Sequence, residues 1–308
     1  MHVFVTGASG WIGSAAVDEL LAAGHEVTGL ARSDSSASAL ESKGARVRRG
    51  DLDDLASIRA GAETADAVIH LANKHDFANP AVSNSAERAA VQTIGDELVG
   101  SDRPFLLASG VAALTPGRPC TEDDPSPFVG PQSPRGGAEN LAFEFVDRGV
   151  RTVSLRFAPT VHGTGDHGFI AAIAAIARQQ GVSGYPGDGS NRWAAVHRSD
   201  AARLIVLGLG KAVSEYPDAG LRLHAVAEGG IPTRDIADAI GRAFDLPVSS
   251  IEPADVQAHF GWIGAFFGME MSAKSSATQE LLGWTPTGPT LIEDLDAGAY
   301  SVLAAAVR

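Results

Sequence analysis

Cysteine is almost missing from this 308-residue chain: Cys120 stands alone, which excludes an internal disulfide and any cysteine-built zinc cluster. No metal site is expected, and the lone thiol reads as a small buried apolar group. Basic residues are also scarce, with 24 Lys and Arg against 37 Asp and Glu and a net charge of -13. No Lys/Arg run offsets that deficit, so the basic face that nucleic acid requires is absent and the excess acid serves solubility. No apolar stretch approaches the ~20 residues of a membrane span. A strand signal begins by residue 3 with no basic segment and apolar run before it, so no signal peptide is expected. These absences predict a cytoplasmic protein with no nucleic-acid and no membrane partner.

What is present is an ordinary globular composition, 44% hydrophobic and 20% charged, in a length that suits one large domain or two intimate ones. Strand signals at His2–Val5, Glu26–Ala31, Arg46–Arg49, Ala67–Leu71, Phe105–Ser109 and Thr152–Phe157 alternate with helix signals. Those helices fall at Trp11–Ala23, Ala37–Lys43, Leu55–Ala60, Ser85–Val99 and Gly136–Arg148. Apolar, β-branched strands alternating with helices predict an α/β fold: a Rossmann doubly wound parallel sheet with helices on both faces. After about Thr160 the rhythm loosens, with helices at Gly168–Gln180, Asp200–Leu209, Thr233–Asp245 and Ser275–Leu282, and short strands at Ala194–His197 and Leu221–Val226. The expected division assigns 1–160, plus about 191–226, to a dinucleotide domain. Residues of about 161–190 and 227–308 would then form a smaller C-terminal substrate-binding lobe. Pro116–Pro134, rich in Pro, Gly and acid, reads as a loop.

Between the first strand and first helix lies Thr6-Gly7-Ala8-Ser9-Gly10-Trp11-Ile12-Gly13. Gly7 permits a tight turn, Gly10 a close approach of pyrophosphate to backbone, and Gly13 close packing of helix on strand. The helix N-terminus supplies unpaired amides and positive dipole to the phosphates. The strand before and helix after are the context that gives a glycine trio its meaning. At the end of the second strand Ala31 stands where an NAD binder would carry an acid, and Arg32 and Ser33 follow. A guanidinium and a hydroxyl suit a 2′-phosphate, so NADPH/NADP+ is the expected cofactor.

With Gly50-Asp51-Leu52, Ile69-His70-Leu71-Ala72, Leu155-Arg156, Val161-His162-Gly163 and the run Gly187–Trp193 added to that turn, the sequence resembles the extended short-chain dehydrogenase/reductases over nearly its whole length. The resemblance implies that Asp51 and Leu52 hold adenine and that Leu71, Ala72 and Asn73 line the dinucleotide. It also implies that the backbone at Pro159 faces the nicotinamide and that Ser109 lies near the family's serine. The family's proton-donating Tyr and its Lys do not carry over. Aligned through Ala138-Glu139, those positions hold Pro131 and Arg135, and neither Tyr185, Tyr216 nor Tyr300 has a Lys four residues later.

Hydride delivery to a ketone creates an alkoxide that something must stabilise or protonate. Three sources are open: Ser109 as a lone donor, a histidine, or an acidic group on the substrate itself. His162, expected at the pocket mouth, and His167 are the candidate catalytic imidazoles. His75, Phe77, His162, Phe169 and Trp193 are the candidate substrate contacts. Aromatic residues gathered in the C-terminal half favour a flat, apolar substrate. The leading expectation is an NADPH-dependent ketoreductase of a hydrophobic ketone, similar to the Tyr-less reductases that tailor aromatic polyketides in antibiotic pathways. The alternatives are a dinucleotide-binding sensor without catalysis and a sugar-nucleotide epimerase or dehydratase. Oligomeric state is left open.

Overall fold

The computed structural model describes residues 1–76, 79–214 and 220–301. Its centre is a seven-stranded sheet. In chain order the first half runs β1 (His2–Thr6), α1 (Trp11–Ala22), β2 (Glu26–Ala31), α2 (Asp34–Ser42), β3 (Arg46–Arg49), α3 (Leu55–Glu63), β4 (Ala67–His70), α4 (Pro80–Leu98) and β5 (Pro104–Gly110). Then come α5 (Ala138–Phe143), β6 (Arg151–Phe157), β7 (Thr160–His162), α6 (Phe169–Gln180), β8 (Ser183–Pro186), β9 (Arg192–His197), α7 (Arg198–Ser214) and β10 (Leu221–Ala225). The chain closes with β11 (Glu228–Pro232), α8 (Thr233–Phe244), β12 (Val248–Ile251) and the short helices α9 (Val256–Phe260), α10 (Gly264–Phe267), α11 (Ser276–Leu282) and α12 (Leu291–Asp296).

The large sheet has the order β10-β6-β5-β4-β1-β2-β3, and every pairing in it is parallel. Strands covered on both faces must be apolar throughout, and β4 is buried along its whole length. One face packs Val3, Val5, Ile69 and Leu106 against Ala16, Val17 and Leu20 of α1 and Leu204 and Ile205 of α7. The other packs Phe4, Val68 and Phe105 against Ile58 of α3 and Ala90, Val91 and Ile94 of α4. This is the doubly wound α/β architecture that the strand–helix alternation predicts.

Outside it, β11-β9-β7 form a three-stranded sheet and β12-β8 a parallel pair. Around these a third apolar cluster joins Ile170 and Ile173 of α6 to Trp193, Ile236, Phe260 and Phe267. The strands β8, β11 and β12 and the helices α9, α10 and α12 are short elements that the sequence pattern does not announce. The expected helix over Gly136–Arg148 is broken into a tight turn at Pro134–Gly137, α5, and another at Val146–Arg148. Arg135, Gly136 and Gly137 take φ of 54, 62 and 63°, a left-handed run that right-handed α-helix cannot include, so α5 starts only at Ala138. By contrast α4 starts earlier than expected, because Pro80 sits in its first turn, where the missing N–H costs nothing. No helix among the described residues is long and apolar enough to cross a membrane.

Candidate active site

Strand order reverses at β1, which lies between β2 and β4, and the crevice beyond the carboxyl ends of such strands is where parallel sheets hold ligands. Gly7 turns there at φ 68°, and a Cβ on it would lie 2.6 Å from the Ala72 amide nitrogen. A Cβ on Gly13 would lie 2.0 Å from the Gly7 carbonyl oxygen. Gly10 begins α1 without a side-chain cap, so the first-turn amides at Trp11, Ile12 and Gly13 have no intrahelical acceptor. Ser9 and Gly10 are exposed beside them. A cradle closed to side chains but lined with free amides fits a pyrophosphate.

The turn is tied to the rest of the site through Trp11. Its indole donates to the Val161 carbonyl at 2.7 Å, the Arg198 guanidinium lies 4.3 Å above its ring, and the His167 ring meets it edge-on at 5.8 Å. After β4, the amides of Leu71 and Ala72 donate to the Thr6 carbonyl at 3.1 Å and the Thr6 hydroxyl at 3.4 Å, which seats both residues against Gly7. Asp51 accepts the amides of Asp53 and Asp54 at 2.9 and 3.1 Å, and Leu52 beside it is buried. Pro159 is half-buried between β6 and β7.

At the end of β2, Ala31 is in register with Arg49. Arg32 is exposed, and its guanidinium has no hydrogen bond or ion pair among the described residues. Ser33 caps α2 by accepting the Ser36 amide at 3.2 Å. Arg49 donates to the Ser33 carbonyl at 2.6 Å and pairs with Asp34. Of the two phosphate-seeking groups expected here, Arg32 is free and Ser33 is partly spent on its helix.

Three expected positions need correction. Ser109 donates its single hydroxyl proton to Glu139 at 2.6 Å, so that donor is already committed. Burial works against the Glu139 charge, but the Arg156 guanidinium, 2.5 Å away, and Ser109 hold the carboxyl below its usual range. His162 is not at a pocket mouth. It is fully buried, with Nδ1 2.6 Å from Asp294 of α12, so its visible role is to fasten the C-terminal helix. Burial pushes its imidazole below the usual value, with Asp294 opposing. Trp193 is likewise fully buried, stacked edge-on against Phe267 at 5.3 Å, and presents no surface to a substrate. Phe77 lies outside the described residues.

His167 and His75 are exposed. His75 adopts φ 50° and donates its amide to the Asn73 side-chain oxygen at 2.8 Å. Although part of the residue meets solvent, desolvation around the ring pushes its imidazole below the usual value, helped by Arg135 and His167 and opposed by Glu87. Asn73 in turn donates to Glu87 at 2.9 Å, and Arg135 pairs with the same carboxylate at 2.6 Å. Hydrogen bonds thus link His75 to Arg135 through Asn73 and Glu87, while His167 packs on Trp11. Glu87 was missed in the sequence, though it shares a helix face with buried Ala90, Val91 and Ile94, a spacing that marks it as inward-pointing.

Two residues past His167, Phe169 is half-buried, its ring 5.9 Å from Trp262 and 5.6 Å from Phe266. Trp262 is 47% exposed and Met269 41%. Of the tyrosines, Tyr300 donates to Asp166 at 2.8 Å; burial first, and the Asp166 carboxylate second, push its phenol far above the usual value. Tyr185 lies on β8 under Arg234, and Tyr216 falls outside the described residues.

Residues 3–218 match the sequence profile of the NAD dependent epimerase/dehydratase family. A Schizosaccharomyces pombe protein of uncharacterized function is 42% identical over 301 residues, 97% of this chain and 100% of that one. A more distant match, 29% identical over 168 residues, is the 4-hydroxy-2-methyl-3-oxo-4-farnesyl-3,4-dihydroquinoline-1-oxide ketoreductase of Stigmatella aurantiaca, covering 51% of this chain and 49% of that protein. Among solved structures, MoeE5 in complex with UDP-glucuronic acid and NAD superposes with a TM-score of 0.73 at 23% identity, over 98% of this chain and 99% of that one.

Proposed function

The chain belongs to the NAD dependent epimerase/dehydratase family, and we propose that its glycine-lined turn holds a nicotinamide dinucleotide and that the protein is an NADPH-dependent reductase of a bulky, apolar ketone. The observation that carries this reading is an imidazole and a guanidinium joined at the Leu71–Asn73 wall of the crevice: the His75 amide donates to Asn73, and Asn73 and Arg135 both donate to Glu87. Those are the charge types that carbonyl reduction needs where oxygen becomes negative. Arg32, free beside Ala31, supports NADPH over NADH. The half-buried Phe169 and exposed Trp262 offer a flat apolar surface that suits the substrate class. The likeness to a Stigmatella ketoreductase adds to the choice of reaction.

In this reading Gly7, Ser9, Gly10, Trp11, Ile12 and Gly13 hold the pyrophosphate through backbone amides. Arg32 and Ser33 hold the 2′-phosphate, Asp51 and Leu52 the adenine, and Leu71, Ala72, Asn73 and Pro159 flank the nicotinamide. When bound, NADPH supplies the hydride that turns the carbonyl carbon into a carbinol carbon. His75 gives the oxygen its proton as the C=O π pair collapses onto it, and a lowered imidazole value makes the protonated ring a readier donor. His167, exposed against Trp11, would pass a proton in from solvent, and Arg135 would offset the developing charge. Ser109 orients rather than donates.

The experiment is NADPH oxidation, followed by its absorbance, over a panel of polycyclic aromatic ketones with and without a phenol beside the carbonyl, with NADH in parallel. Turnover of both classes, faster with NADPH and lost in His75→Gln, is expected. Turnover confined to phenolic ketones and indifferent to His75→Gln would assign the proton to the substrate instead. Tight NADPH binding with no ketone reduced would turn the reading toward a dinucleotide sensor.

A further inference from the structure

Glu87 is a fully buried carboxylate in the middle of α4, surrounded by apolar neighbours on that helix face. Left alone, a charge in such a place would be expelled or neutralised. Instead several elements converge on it. Arg135, from the turn before α5, donates to Oε1 at 2.6 Å, and Asn73, from the loop after β4, donates to Oε2 at 2.9 Å. His70 Nε2, buried and without a hydrogen bond of its own, stands 4.0 Å from Oε1, while its Nδ1 meets the Thr6 hydroxyl at 2.7 Å.

Two residues linked to this carboxylate have left-handed backbones that non-glycine residues rarely adopt: Arg135 at φ 54° and, through Asn73, His75 at φ 50°. Strain of this kind persists only where surrounding contacts over-determine it, and it gathers at functional sites. Glu87 supplies those contacts for Arg135 directly and for His75 through the Asn73 side chain.

We infer that Glu87 is a positioning residue that fixes His75 at the crevice and, with Arg135, sets the charge balance on its ring. This rests on the reading of His75 as proton donor. Among the described residues, the charged and titratable groups whose fields reach the His75 ring include Arg135 from the turn before α5, Glu87 from α4 and His167 from the loop before α6. Of its chain neighbours, Lys74 pairs with Asp53 at 2.7 Å, and Asp76 accepts the Asn79 amide at 3.0 Å. Arg135 and Glu87 act on the ring with opposite sign, the first lowering and the second raising its affinity for a proton.

The test is a proton titration of the histidine rings by NMR in the cofactor-free full chain, with His75 assigned by loss of its signal in His75→Gln. In Glu87→Gln the His75 midpoint moves to lower pH, and in Arg135→Gln it moves to higher pH. In the double variant it returns toward the wild-type midpoint. The pH profile of ketone turnover shifts with the same signs. No movement in either variant, or movement of both in one direction, overturns the inference. Arg135→Gln strands a buried carboxylate and can unfold. In that event Arg135→Lys, which keeps the charge, should hold the wild-type midpoint while Glu87→Gln alone shifts it, and a midpoint in Glu87→Gln that matches wild type again overturns the inference. Opposite shifts with turnover indifferent to His75→Gln would uphold the positioning and sink the proton-donor reading. Turnover lost in His75→Gln with no titration shift in Glu87→Gln would do the reverse.

Discussion

Replacing Gly13 with alanine loads the cradle at its tightest point. The new Cβ would lie 2.0 Å from the Gly7 carbonyl oxygen and 2.8 Å from its carbon, where ordinary contact begins near 3.4 Å. The obstacle is backbone, so no rotamer change relieves it, and either α1 or the turn must retreat by more than an ångström. Overpacking of this kind costs about 1–3 kcal/mol. With about 2–4 °C of Tm per kcal/mol in chains of this general size, the melt should fall by about 2–12 °C. The retreat also carries the first-turn amides away from the phosphates, and one lost charge-assisted hydrogen bond of about 1.5 kcal/mol or more weakens NADPH binding at least about tenfold. Gly210 in α7 is the control, since a Cβ there meets nothing within 4 Å and its φ lies outside the left-handed region. Gly210→Ala should leave the Kd unchanged and raise stability by about 0.5–1 kcal/mol. The assays are NADPH fluorescence titration and a thermal melt of each variant. Wild-type Kd and Tm in Gly13→Ala would refute the cradle.

Arg32→Ala should weaken NADPH about 5- to 30-fold, since an exposed phosphate contact yields the lower part of the charged hydrogen-bond range. NADH affinity should change little, and equal losses in both titrations would remove Arg32 from the phosphate site. Ser109→Ala should lower kcat by less than about tenfold, whereas loss of a true general acid costs about 10²–10⁴; steady-state kinetics separates the two. Acid should destabilise the protein below about pH 6.5, the ordinary histidine value. Burial pushes the imidazoles of His70 and His224 below that value in the fold. The unfolded chain therefore binds more protons there, and stability present above the unfolded value is lost as pH falls toward the folded ones. Urea midpoints that do not drop between pH 7.5 and 5.5 would contradict it.

The inner strands of the sheet were legible because parallel strands buried on both faces are largely apolar runs, as in Ala67–Ile69, whereas β3, Arg46–Arg49, is a partly exposed edge strand found from its place in the strand–helix alternation. The phosphate turn was legible because only glycine tolerates the approach of Gly13 to Gly7. The catalytic end was not. Arg135, at the start of the left-handed run Arg135–Gly137, is held by Glu87, 48 residues away along the chain, a pairing that no local pattern announces. His162 reads as a catalytic candidate at the pocket mouth until the fold brings it to Asp294, 132 residues later, in a buried pair. Ser109 was found, but not the Glu139 carboxylate that claims its proton. Long-range polar pairing leaves little trace in periodicity, which is why the scaffold was readable and the chemistry only in part.

The account stands most directly on hydride transfer itself. NADPH carrying deuterium at the nicotinamide C4, on one face at a time, would be mixed with the protein and a bulky aromatic ketone, and the product examined by mass spectrometry and NMR. The account predicts one deuterium on the carbinol carbon from one face only, with the rate lost in His75→Gln. Unlabelled product, or none while NADPH stays bound and unconsumed, would contradict it.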